Sequence, residues 1–422
     1  MQTPKAENTV SRPAAETSDS GESLIEFKNV TKRFGSLTVL NRVNLSIHRG
    51  EITTVIGKSG MGKTVLLKHI IGLIEPDEGE ILFENRILNR MNRRDRQHFK
   101  TRFGYLFQNV ALFDSMNVFD NVALPLRENT DQSEADIRKR VYDKLEKLEI
   151  SEITEKFPAE ISGGMKKRVG LARALIMDPE IVLFDEPTTG LDPIRKNAVH
   201  SMISHMQKKF GFTGIIVSHE IPDVFFISQK IAMLDSGRIL CDCSPQEIEE
   251  IKIPEVQQFI KGVENLKDEL TGLHSKSRIA QKFSEKLPPE MSREAQFSII
   301  VFKINGLDLI NENLGFVAGQ KVIQHFASFV EHYLRISGEH SRYSDDLILT
   351  LLPNTKIGMA KILLDKLKNS LKDYPPLPSQ GYQRINYSIS AGIAEAGENP
   401  RLDDIVEQAK KNMLVIGYFD LS

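Results

Sequence analysis

Apolar and polar positions along the chain sort into short buried runs and amphipathic stripes that alternate from end to end. Between 25 and 30 they alternate as at an edge strand, and Val39, Leu40, Val43, Leu45 and Ile47 mark a second strand that stops at the Arg49-Gly50 turn. The runs 52–56, 181–184 and 215–217 are apolar throughout or nearly so and too short for helices, which predicts strands covered on both faces. Further strands are expected at 80–83 and 104–108. Residues 133–148 place Ile137, Val141, Leu145 and Leu148 on one helical stripe, with Ser133 able to cap it, and Val169, Leu171, Ala172, Ala174 and Leu175 mark another helix. Short buried strands interleaved with helices predict an α/β fold. From about 263 the texture changes. A buried strand at 297–302, a helix at 320–334, a hairpin-like turn at 341–349, a strand at 387–394 and a helix at 402–413 predict a second α/β unit around its own sheet.

Composition changes this picture little. The chain has 422 residues, enough for two or three domains, with 27% charged and 40% apolar residues. A net charge of −2 gives no global field to recruit nucleic acid, so none is expected as a partner. The basic run Arg90, Arg93, Arg94, Arg96, Lys100 and Arg102 lacks interleaved aromatics and reads as a solvated helix face. No apolar run is long enough to span a bilayer, and residues 1–22 are polar, which predicts a disordered tail without a signal peptide. A cytoplasmic location is therefore expected. Cys241 and Cys243 are too few for a zinc site or a disulfide framework.

The chemistry gathers where strands end. The strand at 52–56 runs into Gly57, Lys58, Ser59, Gly60, Met61, Gly62, Lys63 and Thr64 and then into a helix. That is a phosphate-binding loop in the context it requires. Its glycines let backbone N–H groups wrap a triphosphate, Lys63 would reach the outer phosphates and the Thr64 hydroxyl would ligate Mg²⁺. The strand at 181–184 ends in Asp185 and Glu186. Two acids at the end of an apolar strand need a cation or a hydrogen-bond partner: Asp185 would hold the Mg²⁺ shell and Glu186 would polarise an attacking water. Gln108 ends another strand, where it either ligates Mg²⁺ and orients water or is a polar strand terminus. His219 ends a strand of the same sheet, either as a structural histidine or in contact with a γ-phosphate. Phe34 is an aromatic at a hairpin upstream of the loop, free to stack on a purine base or to pack on its own sheet. Ser162, Gly163 and Gly164 open a helix N-terminus able to close on a nucleotide held by another surface.

In this order the motifs resemble the nucleotide-binding domain of ABC transporters over roughly 24–262. Phe34 falls at the A-loop, 57–64 at Walker A and Gln108 at the Q-loop. Ser162-Gly163-Gly164-Met165 falls at the signature, 181–186 at Walker B, Gly190-Leu191-Asp192 at the D-loop and His219 at the H-loop. Met165 stands where most members have glutamine. That substitution, the stretch 106–115, the stretch 121–128 and the tail 254–262 are similar to the MCE-associated subfamily, which includes the Mla (maintenance of lipid asymmetry) ATPases. The resemblance implies a P-loop NTPase fold with a RecA-like core, an antiparallel β subdomain and a helical subdomain. It implies an ATPase using ATP and Mg²⁺, with Asp192 among the nucleotide-binding residues, working as a homodimer in which Ser162, Gly163 and Gly164 of one chain cap the ATP held by Lys63 and Thr64 of the other. The partners implied are an integral-membrane permease and an MCE-type substrate-binding protein, the cargo a phospholipid or another hydrophobic substrate, and the location the cytoplasmic face of the inner membrane. A soluble ABC-type ATPase switch without a permease is the alternative.

Residues 263–422 resemble the GGDEF fold of diguanylate cyclases, and 23–262 is expected to be the ATPase domain. Asp268 to Leu273, Asn311, Gly315, Gly319 and the strand at 388–394 carry this second resemblance. The active positions depart from it. Lys303 stands where a metal-binding aspartate is expected, and the G-G-D-E-F turn reads Ser344-Asp345-Asp346-Leu347-Ile348. Arg335 survives from an inhibitory R-x-x-D motif whose aspartate position is Gly338. An ammonium at Lys303 and an apolar Leu347 remove the oxygens that two-metal phosphoryl transfer needs, so no cyclase activity is expected. Binding a nucleotide, dimerising or docking on the ATPase remain open roles.

Overall fold

The computed structural model describes residues 23–107, 110–219, 223–263, 267–286, 297–335, 338–374, 385–397 and 401–421. The expected tail at 1–22 and Gln108 lie outside the described residues. β1 (Ser23–Phe34) and β2 (Leu37–His48) form a hairpin, and β3 (Ile52–Ile56) leads through the loop 57–62 into α1 (Lys63–Ile70). β4 (Glu78–Phe83), β5 (Arg86–Ile87), α2 (Arg93–Thr101) and β6 (Phe103–Leu106) follow. Then come α3 (Val118–Asn129), α4 (Glu134–Lys147) and α5 (Gly163–Leu175). The first unit closes with β7 (Ile181–Asp185), α6 (Pro193–Phe210), β8 (Thr213–Ser218), β9 (Lys230–Asp235), β10 (Arg238–Cys243) and α7 (Pro254–Val263).

The central sheet has six strands in the order β10-β9-β3-β8-β7-β6. β3 pairs in parallel with β8 and β9, and β7 in parallel with β6 and β8. Ligand sites in such sheets lie beyond the carboxyl ends of the strands. The register puts Asp185 opposite Val217 and Ser218 opposite Ile56, so the ends of β3, β7 and β8 stand level at one edge. Both faces are covered. Ile52 and Ile56 face the helices α3, α5 and α6, while Val55, Ile215 and Val217 face the antiparallel strands.

Those strands form a four-stranded sheet, β2-β1-β4-β5. The expectation of an edge strand at 25–30 is corrected here: β1 lies between β2 and β4. Alternation reports that one face is buried, and it does not count the neighbours in the sheet plane. Ser133 caps α4 through the Asp136 amide, as the stripe at 133–148 predicts.

The second unit contains α8 (Lys276–Lys286), β11 (Phe297–Asn305), α9 (Leu307–Leu314), α10 (Phe316–Leu334), β12 (Glu339–Arg342) and β13 (Leu347–Pro353). α11 (Ile357–Leu371), β14 (Ile385–Glu395), α12 (Leu402–Lys411) and β15 (Leu414–Leu421) complete it. Its five strands run β12-β13-β11-β14-β15, all antiparallel. Ile300, Phe302 and Ile304 face one layer of helices, and Phe297, Ile299 and Val301 the other. The two units touch. Phe316 at the start of α10 belongs to the apolar core of the first unit, and Ile194 of α6 packs against the core of the second.

Candidate functional site

The phosphate-binding loop depends on glycine geometry at two positions. Gly57 has φ +155, and a Cβ there would stand 2.2 Å from the Leu234 carbonyl oxygen. Gly62 has φ +96, caps α1, and would clash with Val39 if it carried a side chain. Only glycine lets the chain turn this tightly from a buried strand into a helix. Lys58, Ser59 and Gly60 are exposed, with Met61 and Gly62 partly so. The loop closes on the buried Lys63, whose Nζ donates to the carbonyls of Gly57 (2.8 Å) and Lys58 (3.0 Å). Burial pulls the Lys63 pKa down, against the carboxylates of Glu186 and Asp185, which hold it up.

Strand β7 delivers the acids to the same corner. Thr64 Oγ1 donates to Asp185 Oδ1 at 3.3 Å, and the Tyr105 hydroxyl donates to Asp185 Oδ2 at 3.2 Å. Burial raises the Asp185 pKa, and the two hydroxyl donors work in the other direction. Burial beside Asp185 likewise pushes the Tyr105 phenol up, so it stays a donor. Glu186 follows at φ 49, the left-handed region that glycine favours. Its carboxylate is held from three sides: Lys63 Nζ at 3.7 Å, His219 Nδ1 at 2.6 Å and the Thr189 hydroxyl at 2.8 Å. Lys63, Thr64, Asp185, Glu186 and His219 thus form one connected group. A hydroxyl and a carboxylate side by side beneath a lysine fit a hard divalent cation held between protein and phosphate oxygens.

The remaining described candidates sit on other elements. Ser162 caps α5 with its Oγ accepting from the Met165 amide at 3.3 Å, and Ser162 and Gly163 are exposed, with Gly164 partly so. Asp192 caps α6, accepting from the Arg195 amide at 3.1 Å, and is exposed. Phe34 ends β1 with 49% of its surface open and the Lys32 ammonium 5.5 Å from its ring centroid. Neither Tyr105 nor Lys167 is a motif position. Lys167 Nζ donates to the carbonyls of Pro187 (2.5 Å) and Thr189 (3.0 Å), tying α5 to the turn after Glu186. Its one sequence signal is a lysine in step with Leu171 on the apolar stripe of α5.

The second unit has a strand-end corner of its own. Lys303 Nζ lies 3.6 Å from Asp346 Oδ2, the Ser344 hydroxyl donates to Asp346 Oδ1 at 2.9 Å, and Leu347 is buried in β13. The corner borders a cavity of about 1120 Å³ whose lining includes Phe225, Phe226, Tyr343, Lys303 and Asp346. Gly319 serves packing here: a Cβ would stand 2.1 Å from Asn311 Oδ1.

Residues 40–189 match the ABC transporter family, and residues 265–416 match the GGDEF domain of diguanylate cyclases. The chain is 38% identical over 241 residues to the intermembrane phospholipid transport system ATP-binding protein MlaF of Haemophilus influenzae, covering 57% of this chain and 91% of that one. It is 40% identical over 238 residues to a probable ribonucleotide transport ATP-binding protein, mkl, of Mycobacterium leprae, covering 56% of this chain and 69% of that one. A solved structure of cbiO1 from Clostridium perfringens, part of an ABC transporter complex, superposes with a TM-score of 0.50 at 28% identity over 57% of this chain and 99% of its own. With a matching fold, a matching relative nearly covered from end to end and the phosphate loop in place, the chain belongs to the family of ABC transporter ATP-binding proteins: it is an ATP-hydrolysing subunit that carries a GGDEF domain after its ATPase domain.

Proposed function

We propose that this subunit powers the movement of a phospholipid or another hydrophobic substrate through a separate membrane permease, together with an MCE-type substrate-binding protein. Residues 23–262 form the ATPase part and 263–422 the second domain. The similarity to MlaF supports the cargo class, and the connected group of Lys63, Thr64, Asp185, Glu186 and His219 carries the catalytic reading. Among the described residues no helix is long and apolar enough to cross a membrane. Work at a membrane then falls to the permease, with this chain on the cytoplasmic face of the inner membrane.

In this reading the loop 57–62 and the N-terminus of α1 cradle the phosphates, and Phe34 stacks on the base. Lys63 neutralises the outer phosphates. Thr64 and Asp185, with Gln108, would hold Mg²⁺, whose chemistry there would be charge neutralisation on phosphate oxygens. Glu186 orients and polarises the attacking water, and His219 fixes the Glu186 carboxylate and reaches toward the γ-phosphate. Ser162, Gly163 and Gly164 sit exposed on a helix N-terminus, suited to closing on an ATP held by a second copy. A homodimer with two such sandwiches would open when hydrolysis replaces one ligand by two mutually repelling products. The second domain is regulatory or dimer-stabilising and not a cyclase, because the Lys303 ammonium takes the place of a metal. The cavity beside it has room for a nucleotide.

The test is ATP hydrolysis and ATP-dependent dimerisation of the chain and its Glu186→Gln variant, followed by co-purification with the permease from detergent-solubilised membranes. Loss of turnover with a trapped ATP-bound dimer is expected. A Glu186→Gln chain that hydrolyses ATP normally would remove the catalytic assignment. A chain that stays in the soluble fraction with the permease overexpressed would remove the transport assignment.

A further inference from the structure

Among the described residues Arg342, on the second domain, is the largest completely buried side chain, with 0% exposure. It ends β12, and its Nη1 donates to Asp268 Oδ2 at 3.2 Å. The same Nη1 crosses to the ATPase domain and donates to Asn197 Oδ1 of α6 at 2.7 Å. Nη2 faces Asp345 Oδ1 at 3.5 Å, and the guanidinium covers the Phe226 ring at 4.9 Å from its centroid. Asn197 passes the contact on. Its Nδ2 donates to Asp223 Oδ2 at 3.3 Å and to the Pro193 carbonyl at 3.0 Å. A buried file therefore runs Asp268, Arg342, Asn197, Asp223.

The two members of that file in the ATPase domain, Asn197 and Asp223, lie on elements next to candidate site residues. Asn197 stands on the second turn of the helix that Asp192 caps. Asp223 opens the short helical turn that follows His219. Other contacts hold α6 along its length: Lys196 to Glu269 at 2.9 Å, Gln320 Nε2 donating to Ser201 Oγ at 2.9 Å, and the His205 ring on the edge of Phe316. The docking also reaches α5. Glu149 pairs with Arg168 of α5 at 2.9 Å, and a Cβ at Gly315 would stand 2.8 Å from the Glu149 carboxylate.

Burying a guanidinium costs desolvation that ion pairing only offsets in a narrow geometry, so its worth lies in the arrangement it specifies more than in net stability. Arg342 has that geometry only when α6, the turn at Asp223 and the second domain are all in register. We propose that Arg342 is a positioning residue for ATP hydrolysis, setting through Asn197 and Asp223 where Asp192 and His219 stand, so that docking of the second domain governs turnover in the same chain. The inference rests on the reading of Asp192 and His219 as site residues.

The experiment measures kcat and KM for ATP on the full chain and on Arg342→Met, Arg342→Lys, Asn197→Leu, the double variant Arg342→Met/Asn197→Leu, and Gln320→Ala. A displacement on the scale of an ångström in the reacting geometry costs turnover while leaving ground-state binding, so kcat of Arg342→Met falls about tenfold to a hundredfold with KM little changed. The double variant loses no more than the worse single, because the two side chains act as one unit. Arg342→Lys keeps the charge but not the fork and falls in between, and Gln320→Ala, which removes a docking contact outside the file, loses less than Arg342→Met. Additive losses, or a folded Arg342→Met with the parent's kcat, overturn the proposal. If Arg342→Met does not fold, parental kcat in a folded Arg342→Lys overturns it equally. Glu186→Gln in the same assay separates the two readings. If that variant retains turnover, the site assignment falls and this proposal with it. If it loses turnover while Arg342→Met keeps its own, only this proposal falls.

Discussion

The two domains present the same kind of place, a sheet edge where a buried strand ends among acids, and they use it in opposite ways. At the end of β7, Asp185 and Glu186 meet a lysine that arrives from another element, with hydroxyls from Thr64, Tyr105 and Thr189 filling the remaining acceptor positions. At the end of β11, the lysine is on the strand itself, and Lys303 neutralises Asp346 directly. The first arrangement gathers its carboxylates beside the glycine-rich loop. The second pairs its acid with a lysine of the neighbouring strand, beside the cavity. The surrounding folds do not decide this difference, since each sheet is covered by helices or strands on both faces. The lysine, the element it comes from and the apolar Leu347 at the second corner distinguish them.

That contrast can be broken most forcefully at Glu186. Replacing it by Gln should lower ATP hydrolysis by about 10²- to 10⁴-fold, the range of a lost general base, with ATP binding retained. Steady-state turnover beside equilibrium nucleotide binding checks both halves. The next effect is at Tyr105. Tyr105→Phe removes a hydrogen bond worth about 1.5–3 kcal/mol to a charged acceptor in a desolvated setting, though the net cost to turnover should be roughly tenfold or less. Its signature is a pH profile. The lost donor favoured the ionised Asp185, whose pKa burial already raises, so without it the pKa rises further. The acid limb of Mg²⁺ binding to the nucleotide-free chain should then move to higher pH.

A smaller effect sharpens the comparison between the domain interiors. His200 in α6 and His340 in β12 are both buried and neutral, with burial pushing their pKa values down to about 3 and about 4. Below pH about 6.5 the unfolded chain takes up protons at these rings and the folded chain does not, so stability falls as the pH drops toward 4. His340→Gln should flatten that fall for the unfolding transition of the second domain alone, which thermal melts across that window would show. The smallest effect belongs to Lys303→Met. The pair with Asp346 is exposed enough that its loss should change stability by less than about 1 kcal/mol and leave ATP turnover untouched. A large loss there would mean that the second corner is structural after all, and the contrast would need redrawing.

The elements of both domains could be read along the chain because their signals are local. Apolar runs such as 52–56 and 181–184, the Ser133 cap and the glycines of the phosphate loop each act within a few residues, and the family resemblance set their order. What escaped the sequence is carried by contacts across long separations. β1 reads as an edge strand because alternation cannot tell one neighbour from two. Tyr105 and Asp185 are joined only when β6 and β7 pair. Lys167 looks like a misplaced charge on an apolar stripe until the turn after Glu186 folds over it. Arg342 gave no sequence signal, since Asp268 reaches it only when the second domain folds and Asn197 only when the two domains dock.

Glu186 stands in a backbone conformation that costs a residue other than glycine about 1–3 kcal/mol. A substitution there by Gly or Asn would relieve that cost while removing the carboxylate. Where that relief offsets the lost pairing with Lys63, such a chain would fold as well as its parent, resist proteolysis and accumulate normally, so abundance and melting temperature would give no warning of any lost turnover. At this one position selection for a durable protein and selection for a working one pull in opposite directions.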